Sequence, residues 1–141
     1  MKNSYYFLFL FILPFFTSCQ NDETIAEVEN SHNELINFLG TELGDIEGKT
    51  IYLIPTSLGD ELLHRLMIWS DLVKDANSKI VIVGEVNKNH REFVNIFTHQ
   101  YGEIYQTKSQ YDLINSAQKI EIMNGTITSR IEYEKMEFIN N

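Results

Sequence analysis

Few residues in this chain could do chemistry, and their spacing narrows what that chemistry could be. Ser57 lies beside Gly59, with Asp60 and His64 downstream, so a hydroxyl, a carboxylate and an imidazole share one short stretch. A hydrolase nucleophile on a strand-to-helix elbow needs glycine two residues to either side, and Pro55 stands where the first belongs. Ser57 with Asp60 at the third following position instead reads as a helix cap, with Asp in place of the usual Glu. His64 then falls one turn into that helix, on its surface. Gly44, Gly48, Lys49 and Thr50 approach the pattern of a phosphate-cradling loop, but the spacing is one residue short and the segment precedes a strand. It reads as a turn. His90 and His99 do not share a helix face as paired ligands would, and His32 and His64 stand alone in sequence. The carboxylates do not repeat at calcium-loop spacing. No catalytic residue, metal site or cofactor is therefore expected.

The chain has 141 residues, 20 of them acidic against 11 Lys and Arg, for a net charge of −9. Nucleic-acid binding needs a basic footprint, so this composition argues against it. It argues equally against direct adsorption to anionic lipid. Hydrophobic residues make up 43 %, enough for the core of one domain.

Cys19 is the only cysteine. It follows Lys2, an apolar run over 5–16, and the small residues Thr17 and Ser18, which is the order of an export leader. Pro14 interrupts the run, which falls short of the roughly 20 residues of a spanning helix. A transmembrane anchor is thus the weaker reading, and secretion with a free Cys19 weaker still, because an exposed thiol is a liability in an oxidising compartment. Phe16, Thr17, Ser18 and Cys19 resemble the lipobox of bacterial lipoproteins, with Phe16 where Leu is usual. Gln20, Asn21, Asp22 and Glu23 resemble the polar stretch that follows the lipidated cysteine in many outer-membrane and surface lipoproteins of Gram-negative bacteria. The resemblance implies cleavage before Cys19, lipid on its sulfur and an acyl chain on its new amino group, together enough for stable anchoring. It implies a lipid-anchored protein of the cell envelope, held at the outer membrane on its periplasmic or surface face. With Cys19 so used, neither an internal disulfide nor thiol catalysis remains.

The elements follow from periodicity. Ile25, Val28, Leu35 and Leu39 fall on one stripe and predict an amphipathic helix over 24–40, stopped by Gly40, after a tether over 19–23. Residues 50–54 and 79–83 are apolar on both faces, as buried strands are. Between them Leu62, Leu66, Trp69 and Val73 recur at helical spacing. A third helix is predicted from a cap at Asn89, with Phe93, Phe97 and Tyr101 as its core face. Residues 103–107 suit a short edge strand, and 109–115 a loop or a single helical turn. Asn124 and Gly125 between two β-rich runs predict a hairpin with a type I′ turn. Ile127, Ile131 and Tyr133 are expected on its buried face. Two buried strands joined through a helix should run parallel. The expected fold is α/β, a mixed sheet of order βαβα followed by a β-hairpin, with helices packed on it and the amphipathic helix in front. It occupies 48–134, with a tail over 135–141.

This order resembles the thioredoxin-like fold, especially its envelope-anchored members. The segments that carry the resemblance are GKTIYLIPTSLGDELLHRL, KIVIVGEVN and IEIMNGTITSRIEY. The family's C-x-x-C sits at the N-terminus of the helix after the first strand, where the dipole and amides lower a thiol pKa. Here that window holds Thr56, Ser57, Gly59 and Leu62, with Gly59 and Leu62 as one register for the two slots. The family's cis-proline, expected near Ser116 and Ala117, is absent, and its final helix has no counterpart before Asn141. The resemblance therefore implies a domain without redox chemistry. The expected role is an interaction module with a protein partner in the envelope, the uncovered sheet face being closed by the 24–39 helix or by that partner. The alternatives are a non-thiol enzyme or a small-ligand binder using Thr56 to Asp60, where a helix N-terminus could hold an anion. A peptide binder pairing with the 103–107 edge is the third.

Overall fold

The computed structural model describes residues 20–73 and 77–134; the expected leader, Cys19 and the expected tail over 135–141 lie outside them. The described residues form a five-stranded mixed sheet and three α-helices: α1 (Gln20–Leu43), β1 (Thr50–Pro55), α2 (Asp60–Ser70), β2 (Ser78–Val83), α3 (Lys88–Gln100), β3 (Ile104–Gln106), β4 (Ala117–Met123) and β5 (Thr126–Tyr133). The sheet order is β3-β2-β1-β4-β5. β1 is central, as its apolarity on both faces requires: Ile51 and Leu53 are buried on one side, Tyr52 and Ile54 on the other. β1 pairs with β2 in parallel, from Thr50 opposite Ser78 to Pro55 opposite Val83. β2 pairs in parallel with β3, while β4 runs antiparallel to both β1 and β5.

Helices cover both faces. Leu62, Leu66 and Trp69 of α2 and Val94 of α3 pack with Tyr52, Ile54, Ile80, Ile82 and Ile104. Leu35 and Leu39 of α1 pack on the opposite face with Ile51, Leu53, Val81, Val83, Ile120 and Ile122. Each such side chain contributes about 1.5–3 kcal/mol through burial.

Helix ends depart from the sequence reading. Gly40 lies inside α1, and residues 20–23, expected as a tether, share its helical backbone. The helix stops at Gly44, whose φ of 76° is left-handed and whose N–H donates to the Gly40 carbonyl at 2.9 Å. That is an αL cap one turn beyond the glycine chosen from the pattern, where only the second of two glycines adopts the required conformation. Asn87, not Asn89, caps α3: its side chain accepts from the Asn89 N–H at 3.2 Å.

The hairpin turn is as expected, with positive φ at Asn124 (53°) and Gly125 (68°). Its buried face is not. The register passes from Glu121 opposite Ser129 to Ile122 opposite Ile127, leaving Thr128 as an extra residue. Thr128 Oγ1 closes the bulge by donating to the Glu121 carbonyl at 3.2 Å. A bulge inverts the alternation beyond it. Ile127 therefore packs toward α1, Tyr133 packs toward α2, and Ile131 is 46 % exposed.

Two carboxylates tie the α1 side together. Glu42 accepts from the Lys108 N–H at 3.0 Å, joining the end of α1 to the β3–β4 loop. Glu47 accepts from the N–H groups of Asn124 and Gly125 at 2.6 and 2.9 Å, gripping both residues of the hairpin turn.

Candidate functional site

The C-terminal ends of β1 and β2 hold a crevice of about 230 Å³. β1 ends at Pro55, and the chain makes a single 3-10 turn over Thr56–Leu58 before α2. α2 leaves toward one face of the sheet, while Tyr111 and Ile114 of the β3–β4 loop pack on the other. The crevice opens between these diverging connections, at the carboxyl ends of the parallel strands. Pro55, Val83 and Ile114 give it a buried apolar floor, and Thr56, Ser57, Gln110, Asp112 and Asn115 supply polar groups.

Gly84 shapes one wall. Its φ is 103°, and a Cβ there would stand 2.7 Å from Thr56 Oγ1. A polar network fixes its backbone. Thr107 Oγ1 accepts from the Gly84 N–H at 3.0 Å and donates to the Ser109 carbonyl at 2.8 Å. Gln106 Nε2 donates to the Gly84 carbonyl at 3.2 Å. Tyr111 stacks on Phe38 at 4.7 Å, and its hydroxyl is buried without a hydrogen-bond partner. Burial, with the Glu34 carboxylate adding to it, pushes that phenol above its ordinary pKa, so it stays a neutral donor.

The window singled out from sequence is divided by this geometry. Thr56 and Ser57 line the crevice. Gly59, with φ 62°, is the N-cap of α2, and no side chain caps that helix. Ser57 is thus not the cap; it sits in the 3-10 turn, one residue pair too early for its hydroxyl to serve α2. Leu62 is 1 % exposed in the core, on the stripe of Leu66 and Trp69, and so cannot present a group to a ligand. Asp60 turns away to meet His90 of α3, Oδ1 to Nε2 at 2.9 Å, which links the starts of the two helices. His64 is exposed. The Asp60 carboxylate is thus engaged by His90 and is not among the residues that line the crevice with Ser57. Among the described residues, no group of His, Asp and Glu is placed to hold a metal ion.

A second surface was not foreseen. Val28, Glu29, His32, Asn33 and Ile36 of α1 face Thr126 and Ile127 of β5 across a groove of about 440 Å³. Val28, expected on the core stripe, is 55 % exposed. The reason is the length of α1, which exceeds the helix expected over 24–40. A helix of 24 residues spans about 36 Å, whereas the eight residues of β5 span about 26 Å. The sheet cannot cover the whole apolar stripe of α1.

Comparison of the chain with protein-family models, with curated proteins and with solved structures finds no match.

Proposed function

We propose that this chain is a lipid-anchored envelope protein whose domain is a thiol-free, thioredoxin-like interaction module. The observation that carries the reading is the groove between α1 and β5: an open apolar surface on the element that follows Cys19 directly. The anchor rests on Cys19, its apolar leader and the small residues before it. The family assignment draws support from a central β1 flanked by a parallel β2 on one side and the antiparallel hairpin on the other. It is strained by α3, which lies on the α2 face and feeds a third parallel strand at the edge. In the window where the family keeps its thiols, Thr56 and Ser57 offer hydroxyls that bind but do not exchange disulfides.

The test is a photo-crosslinking amino acid placed at Val28 in the full-length protein, in its native envelope, with Leu72 as the control position. A discrete adduct at 28, none at 72, and loss of the adduct in Cys19→Ser are expected. Absence of an adduct at 28 removes the interaction role; an adduct and membrane retention unaffected by Cys19→Ser remove the anchor.

A second reading is favoured by the crevice, whose position at the strand ends suits a small polar ligand. In that case Thr56, Ser57 and Asn115 would orient it over the floor of Pro55, Val83 and Ile114.

A further inference from the structure

Charge identifies what fits the α1–β5 groove. α1 contains six carboxylates (Asp22, Glu23, Glu27, Glu29, Glu34 and Glu42) and neither Lys nor Arg, in a chain of net charge −9. Glu29 lies in the groove wall itself, among the apolar Val28, Ile36 and Ile127, and neither Lys nor Arg lines it, His32 being the one nitrogen base there. An apolar trough along an acidic helix repels anionic headgroups and disfavours a second copy of the same helix. It complements an apolar stripe flanked by cations.

The shape selects the form of the partner. Val28, His32 and Ile36 recur every four residues, so the α1 wall runs about two helical turns. An extended strand would need a regular edge on β5. That edge is broken by the Thr128 bulge, which blunts strand addition. A helix laid beside α1 needs no backbone ladder, only anchors one turn apart.

We infer that the α1–β5 groove receives a basic amphipathic helix of a partner protein, its apolar stripe against Val28, Ile36 and Ile127 and its cations toward Glu29. This rests on the interaction-module reading and names the class of partner.

The probe is a synthetic Leu/Lys amphipathic helix, with a Leu/Glu peptide of the same apolar pattern as control. Binding is measured by calorimetry to the mature protein in zwitterionic nanodiscs, with empty discs subtracted. The Leu/Lys peptide should bind, weaken as salt rises, and weaken at least tenfold in Val28→Asp. Because Val28 is exposed, that variant leaves the fold intact. Glu29→Lys, which leaves the apolar wall in place, should weaken the Leu/Lys peptide and strengthen the Leu/Glu peptide. Equal binding of both peptides, binding unchanged in Val28→Asp, no heat above empty discs, or sedimentation as a dimer closed through this groove would each overturn the inference. An adduct at position 28 together with any of these results retains the interaction module and discards only the basic-helix partner.

Discussion

The two faces of the sheet are closed by different means. On the α2–α3 face the cover is locked from within. Trp69 meets the rings of Tyr52 and Tyr133, each at 5.2 Å, and Arg65 lies over Trp69 and Tyr133 at 5.5 and 5.2 Å. The same guanidinium pairs with Glu61 at 3.1 Å and donates to the Glu134 carbonyl at 2.7 Å, tying α2 to the end of β5. On the α1 face the buried core is aliphatic, Phe38 stacks on Tyr111 at its margin, and the polar ties are Glu42 and Glu47 at the rim and Gln118, which accepts from Arg130 Nε at 3.1 Å. A face braced by a buried charge is fixed in one arrangement. The α1 face is closed without a fully buried ion pair and leaves part of its helix stripe exposed, and the open groove is found there.

The sharpest break of this comparison is Arg65→Ala. Glu61 and Arg65 expose only 1 % and 8 % of their side chains. Removing the guanidinium leaves a buried carboxylate unpaired, with one oxygen already lacking a partner. Stability should fall by about 3–5 kcal/mol, read from the urea midpoint. Arg65→Lys should recover little, because an ammonium cannot hold Glu61, hold Glu134 and stack on two rings together. Full recovery by lysine would show that the internal lock is not what distinguishes the faces.

Matched leucines test the faces directly. Leu66 on α2 and Leu39 on α1 are both fully buried. Leu66→Ala should cost about 2–5 kcal/mol globally. Leu39→Ala removes the same atoms, but its effect should appear first as faster hydrogen exchange in α1 while β1 and β2 stay protected. Equal loss of protection in β1 would mean that α1 unfolds only with the whole domain.

Gly84→Ala addresses the crevice. The left-handed φ and the 2.7 Å approach to Thr56 Oγ1 together predict a loss of about 1–3 kcal/mol. Thr56→Ala added to it should restore the steric part and leave the backbone part. If the double variant is no better than the single one, contact with Thr56 is not what requires glycine at position 84.

What the sequence revealed and concealed follows the same division. The buried strands were legible because residues apolar on both faces have one place to go, and Asn124–Gly125 announced its turn through backbone conformation alone. The edges were not. Nothing in the pattern distinguishes Gly40 from Gly44 as the end of α1; the choice depends on where the helix meets the sheet. The Thr128 bulge inverts Ile127 against Ile131 through cross-strand register, which no single strand encodes. Thr56 and Ser57 of the window line the crevice, whereas Leu62, read both as a slot of the window and as part of the helical stripe with Leu66 and Trp69, lies in the core. Tyr111 and Ile114 joined the crevice from more than fifty residues away in sequence, too far for spacing to signal.

The smallest expected effect concerns the rim tie at Glu42. Its carboxyl is held below the ordinary value of 4.5, first by the hydrogen bond from the Lys108 N–H and then by that from the Ser109 hydroxyl. A folded-state pKa depressed below the unfolded one gives stability that is complete above the unfolded pKa and is lost as pH falls through the folded one. The group is well solvated, so the contribution is small. Wild type and Glu42→Gln should therefore differ most at neutral pH and converge as pH drops below about 4.5 and on through the folded value. The difference should be concentrated in α1 and the β3–β4 loop, where hydrogen exchange resolves it better than a global midpoint does. A gap between the two proteins that widens toward acid would have the wrong sign and would show that Glu42 is not acting as an ionised acceptor on the α1 rim.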